Sequence, residues 1–185
     1  MRRLSGWALI NGSGNEVAPK ALELQRAWST PKENIPLGVH WYNWHQNPFD
    51  NDYPHYFPAK DGMAQSTREM QAHGIHLMPY INARLWDTRD KGVEDYEFSS
   101  LAKPFATKIE KNGELVPKAE SYTSKESDGS PVILAAMCPS TKFWQDTVRD
   151  LVLKITTEVG TDAVYLDQVA AAPPVLCMDT THPHP

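Results

Sequence analysis

The sequence predicts an α/β fold in which parallel βα units form the N-terminal half of a (β/α)8 TIM barrel. Three observations carry this. Four short runs of β-branched, aliphatic and aromatic residues, Leu37–Tyr42, Ile75–Ile81, Val132–Met137 and Ala163–Leu166, have strand length. Two of the gaps between them hold an amphipathic stretch closed by a glycine, Gly74 and Gly160, and a strand–helix–Gly–strand order implies a parallel crossover. The last run delivers a carboxylate, Asp167, and the carboxyl ends of strands are where a barrel keeps its chemistry. Asp167 is therefore the candidate catalytic residue, although an Asp that only caps the following loop fits the spacing equally.

Taken in order, residues 1–35 are expected to be a lead-in segment with one helix. NGSGN signals a turn or linker, and Leu22, Leu24, Ala27 and Trp28 mark an amphipathic helix over Val17–Trp28, ended by Ser29, Pro31 and Pro36. Residues 36–185 are expected to be a partial barrel. Its first strand is Leu37–Tyr42, followed by a long polar and aromatic loop. Asp61 is the expected N-cap of a helix whose inner face carries Met63, Thr67 and Met70. The second strand is Ile75–Ile81. Residues 82–131 are an irregular excursion with a hairpin at Asn112-Gly113 and a turn at Asp128-Gly129. The third strand, Val132–Met137, leads to a helix capped by Ser140 with Phe143, Val148, Leu151, Val152, Ile155 and Val159 as its stripe. The fourth strand ends at Asp167. A closed barrel needs eight strands and about 250 residues, so the chain is expected to be a truncated half whose open edges favour self-association.

Composition excludes several classes. A net charge of −5 without a Lys/Arg run argues against nucleic acid or an anionic membrane surface. No stretch has the length of a membrane span or the apolar core of a signal peptide, so a cytoplasmic location follows if Met1 is the true start. Six Trp and seven Tyr supply many aromatic faces, most of them expected in the core.

The loops after the strands carry the candidate binding groups: Trp44, His45, Asp50 and Asp52, then Asn82, Arg84, Trp86 and Asp87, then Gln168 beside Asp167. Carboxylates and amides for vicinal hydroxyls, with aromatic faces for C–H surfaces, are what a carbohydrate site needs. Asp162, ahead of the fourth strand, is expected to be structural. No metal or cofactor is expected. Cys138 and Cys177 are too far apart in sequence for a metal knuckle, and His182-Pro-His184 has ligand-like spacing but suits a solvated tail. No Gly-rich phosphate loop follows any strand. Two rivals remain open: a metal-dependent hydrolase barrel using His45, Asp167 and the terminal histidines, and a non-catalytic carbohydrate-binding module.

The segments HWYNWHQNPFDNDYPHYFPAKDGM, GIHLMPYINARLWD, AAMCPSTKFWQD and GTDAVYLDQVAAAPPVLCMDTTHPHP resemble a bacterial glycoside-hydrolase-like TIM-barrel family of uncharacterised function. That family is distantly similar to the α-galactosidase and endo-α-N-acetylgalactosaminidase clan. The resemblance implies retaining hydrolysis of a glycosidic bond, with Asp167 matching the clan's nucleophile at the end of the fourth strand. It also implies that the general acid comes from a later strand, outside this chain, which alone would be inactive.

Overall fold

Strands buried on both faces read as unbroken apolar runs, and those buried on one face alternate. The computed structural model describes residues 6–30, 35–48, 51–91 and 94–184. In chain order the elements are β1 (Gly6–Leu9), α1 (Gly14–Trp28), β2 (Leu37–Trp41), α2 (Met63–Ala72), β3 (Ile75–Asn82), β4 (Leu85–Asp87), β5 (Asp90–Lys91) and β6 (Glu94–Asp95). After short helical turns at Phe98–Phe105 come β7 (Lys108–Lys111), β8 (Glu114–Pro117), β9 (Ala119–Lys125), β10 (Pro131–Ala136), α3 (Lys142–Lys154) and β11 (Tyr165–Asp167). The chain divides into two units: Met1–Gln46, Phe57–Ile81 and Leu151–Leu166 in the first, Asn47–Tyr56, Asn82–Asp150 and Asp167–Pro185 in the second.

The first unit holds the sheet ordered β1-β2-β3-β11, with β1/β2 and β2/β3 parallel. Leu37, Val39 and Trp41 of β2 and Ile75 and Leu77 of β3 share one face and are fully buried, while His40 and Met78 on the other face are half-buried and His76 is exposed. The stretch expected as a loose lead-in supplies the edge strand β1, with Ala8 opposite Val39. NGSGN is likewise no linker. Ser13 and Glu16 form a capping box on α1, and Gly14 passes so close to the chain before α2 that a Cβ there would lie 1.8 Å from the Asp61 carbonyl oxygen.

Helix α1 buries Val17, Ala18, Ala21, Leu22 and Gln25 rather than the expected stripe through Leu24, Ala27 and Trp28. Small residues on that face let α2 approach: the Ala18 N–H donates to Ser66 Oγ (3.1 Å), and Gln25 Nε2 to the His73 carbonyl (3.2 Å). Met63, Thr67 and Met70 of α2 are buried as expected. Its N-cap is Gly62, at φ 79°, not Asp61. Gly74, at φ 71°, lets the chain leave α2 directly into β3. Asp162 plays a structural part, accepting the Leu77 N–H (3.2 Å).

In the second unit the run Val132–Met137 takes a different role from the one expected. As β10 it is the middle strand of an antiparallel sheet, β4-β10-β9, and not a strand of the parallel sheet. A central antiparallel strand and a barrel strand can have the same apolar run, and only the partners tell them apart. The sheet of the first unit has four strands, but not the four expected: β11 lies directly beside β3, where Val132–Met137 was expected between them, and β1 adds a strand at the far edge beside β2. The Asn112-Gly113 hairpin joins β7 to β8, both residues at positive φ (54° and 81°) as a type I′ turn requires.

The core of this unit is Trp86, Phe98, Ala102, Ala106, Ala135, Met137 and Trp144. The two indole N–H groups are satisfied inside it: Trp144 donates to the Ala83 carbonyl (3.0 Å) and Trp86 to that of Tyr96 (2.9 Å). Along α3 and the π-helical turn that continues it, Trp144, Ile155 and Val159 are buried, while Phe143, Val148, Leu151 and Val152 are half-buried. Gly160, at φ 75°, ends that turn. No helix among the described residues is long and apolar enough to cross a membrane.

Candidate functional site

Asp167 is the last residue of β11, and Asn82 the last of β3. The Asp167 carbonyl accepts the Ala83 N–H at 3.2 Å, which joins the two segments just past the strands. The chain then turns sharply, because Gln168 adopts φ 61°, a left-handed conformation uncommon for a residue with a side chain. That turn brings Gln168 Oε1 within 3.3 Å of Arg84 Nη1 and its Nε2 within 3.4 Å of the Tyr122 hydroxyl. Arg84 is further held by Glu120 (3.8 Å), which also pairs with Lys118 (3.4 Å). The Arg84 N–H donates to Asn82 Oδ1 at 2.9 Å.

Arg84, Lys118, Glu120, Tyr122 and Gln168 line a cavity of about 440 Å³, bordered on another side by Ala171, Ala172, Pro173 and Val175. A second space of about 270 Å³ shares Arg84 and Gln168 and is walled by Met137, Pro139, Trp144 and Pro174. One wall is cationic and hydrogen-bonding, the other apolar. Such a pocket can grip hydroxyl or anionic groups while covering a C–H surface. Lys118, Glu120 and Tyr122 lie in residues 82–131, whose sequence reads as an irregular excursion and does not mark them as site residues. The extended run of β9 puts Glu120, Tyr122 and Ser124 on its less exposed side.

Asp52, Asp87 and Trp86 form another group in the same unit. Asp87 is fully buried, and its carboxylate accepts the N–H groups of Asp52 (3.2 Å) and Arg89 (2.9 Å). Burial, helped by the nearby Asp52 charge, pushes the Asp87 carboxyl up to about 6 against the pull of those hydrogen bonds and of the Arg89 charge. Trp86 meets His55 edge-on and packs beside Phe143. Burial likewise lowers the His55 imidazole, opposed by its contact with the Asp52 carbonyl. This group braces the loop between residues 51 and 56.

Trp44 and His45 belong to the first unit and are buried. The Trp44 N–H donates to the Tyr80 carbonyl (2.6 Å), and Phe57 and His45 both meet its ring edge-on. The sheet of that unit also carries a ladder of rings: half-buried Tyr42 stacks on buried Tyr80 (4.2 Å between centroids), and His40 lies against Tyr165 (4.5 Å). Asp50 lies outside the described residues. Of the expected residues, then, Asn82, Arg84, Asp167 and Gln168 come together at the strand ends.

Among the described residues, two sets of side chains have ligand atoms close enough to share one cation: the carboxylates of Asp52, Asp87 and Glu126, and the sulfur and imidazole groups of Cys138, Cys177, His182 and His184.

Similar proteins point one way. A protein of Bacteroides thetaiotaomicron carrying the name "Putative glycoside hydrolase" is 36% identical over 148 residues, 80% of this chain and 20% of its own length. A Monosiga brevicollis protein named in the same way is 30% identical over 162 residues, 82% of this chain and 13% of its own. The chain therefore spans a fifth or less of the curated relatives it matches. Among solved structures, the ligand-free α-N-acetylgalactosaminidase NagBb of Bifidobacterium bifidum superposes with a TM-score of 0.70 at 15% identity, over 96% of this chain and 30% of that one. Isomaltulose synthase of Erwinia rhapontici reaches 0.60 at 10% identity, over 95% and 36%. At such identities the likeness is one of fold, an α/β fold with a parallel sheet shared with glycoside hydrolases. The domain family of unknown function DUF6259 matches residues 1–185 throughout, and the chain belongs to that family.

Proposed function

We propose that this chain forms part of the catalytic domain of a retaining glycoside hydrolase, as the first half of a (β/α)8 barrel, with Asp167 as the nucleophile. The observation that carries the proposal is the meeting of Asp167 and Gln168 with Asn82 and Arg84 beside a cavity at the ends of β3 and β11. The glycoside-hydrolase names of the relatives and the fold of the solved neighbours support it.

In this mechanism the Asp167 carboxylate attacks the anomeric carbon and forms a glycosyl-enzyme, which water resolves. A carboxylic acid about 5–5.5 Å away protonates the departing oxygen and then activates the water. That acid is supplied by residues outside this sequence. Arg84, Gln168 and Asn82 hold sugar hydroxyls. Trp44, His45, Asp52, Trp86 and Asp87 act from behind, since buried side chains brace the loops rather than touch a sugar. Self-association through the sheet edge belongs to the same proposal; Trp7 and Leu9 on β1 are exposed there.

The test is Asp167→Asn in a protein that carries this chain and spans the length of its relatives, assayed on aryl α- and β-glycosides. A nucleophile loses turnover by several orders of magnitude with substrate binding retained. A loss confined to affinity, about tenfold for one hydrogen bond, would instead identify a carbohydrate-binding module.

A further inference from the structure

Cys138, Cys177, His182 and His184 are scattered over the sequence, yet their ligand atoms all lie within 4.8 Å of one another. Cys138 Sγ is 3.3 Å from His184 Nε2, and Cys177 Sγ is 3.4 Å from His182 Nδ1. Tetrahedral zinc, with bonds of about 2.3 Å to sulfur and 2.0–2.1 Å to nitrogen, sets sulfur and nitrogen roughly 3.5 Å apart. The observed separations are close to that figure.

The surroundings of the four groups are those of a metal site. His182 Nε2 lies 2.9 Å from the Pro104 carbonyl, which only accepts, so that nitrogen carries the proton and Nδ1 turns its lone pair toward Cys177. Asp179 stands 3.7 Å from the same ring, and its carboxylate also takes the N–H and hydroxyl of Thr181, fixing the turn that presents both imidazoles. Behind Cys177 the Lys108 N–H donates to Sγ (3.4 Å). A thiol–imidazole hydrogen bond would account for either pair alone, but not for two such pairs converging with acceptors and donors behind them.

We propose that Cys138, Cys177, His182 and His184 bind one zinc ion in a closed Cys2His2 site. Binding releases the two thiol protons to solvent, and two thiolates neutralise the dication, so the centre is uncharged where Cys138 is buried. Four protein ligands leave no open position, which makes the role structural rather than catalytic. The ion ties the segment after β11 to the end of β10. That segment contains Ala171 to Val175, the wall of the cavity beside Arg84 and Gln168. The site does not depend on the glycosidase proposal.

The experiment is a titration of the full chain, kept reduced, with cobalt(II) and then zinc(II), followed by elemental analysis and X-ray absorption at the zinc edge. One ion per chain is expected. The cobalt form should show a tetrahedral visible spectrum with thiolate charge transfer, and the zinc form a shell of two sulfurs and two nitrogens. Cys138→Ser and His184→Ala should each weaken binding and make the loop sensitive to protease. Metal at background levels in the wild-type chain would overturn the proposal without reference to any variant. So would a Cys138–Cys177 disulfide formed in place of metal binding, or stoichiometric zinc retained by the Cys138→Ser/Cys177→Ser double variant.

Discussion

The buried carboxyl of Asp87 makes stability depend on pH in an unusual direction. Burial raises it to about 6, some two units above an ordinary Asp, and each unit corresponds to about 1.4 kcal/mol. In this window the folded state holds a proton that the unfolded state has lost. Stability from this group is therefore fully present below about pH 4, declines as pH rises, and is lost above about pH 6, by roughly 3 kcal/mol in total. Asp87→Asn removes the titration but leaves one acceptor oxygen for the two N–H groups of Asp52 and Arg89, at a cost of about 1–3 kcal/mol. The variant should be less stable than wild type near pH 4 and about equal to it near pH 7, the difference between the two shifting by roughly 3 kcal/mol. Urea unfolding followed by tryptophan fluorescence measures that difference, and the carboxyl carbon shift of Asp87 reports its titration directly. An inflection at an ordinary Asp value, or a difference that does not change with pH, would refute the reasoning.

Two packing predictions follow from close approaches. Gly14→Ala would gain about 1 kcal/mol if helix propensity alone mattered, but the new Cβ meets the Asp61 carbonyl, so the net effect should be a loss of about 1–3 kcal/mol, read as a lowered melting temperature. A raised melting temperature would mean that the chain does not pass so close there. Trp144→Phe leaves the Ala83 carbonyl without its indole donor and opens a void in the second unit's core, which should cost roughly 2–4 kcal/mol. An unchanged unfolding midpoint would remove Trp144 from that core.

Much of the fold follows from local chemistry alone. The apolar runs at Leu37 and Ile75, the Met63–Met70 face, the Asn112-Gly113 turn and the helix stops at Gly74 and Gly160 each depend on one segment's own periodicity or φ preference. The α/β class and the position of Asp167 at a strand end follow from the same signals. Strand partnership does not. Val132–Met137 reads as a barrel strand, yet β4 and β9 flank it, while four residues from Gly6, too short and too mixed to stand out, supply the parallel edge. The site divides in the same way. Asp167, Gln168, Asn82 and Arg84 were legible because strand ends can be located by counting. Lys118, Glu120 and Tyr122 join them only through the pairing of β9 with β10. The sequence could place Cys138 and Cys177 no nearer than 39 residues apart. Local periodicity is written into each segment, but which segments become neighbours is decided by the burial that the whole chain achieves together, and the four-ligand cluster exists only at that level.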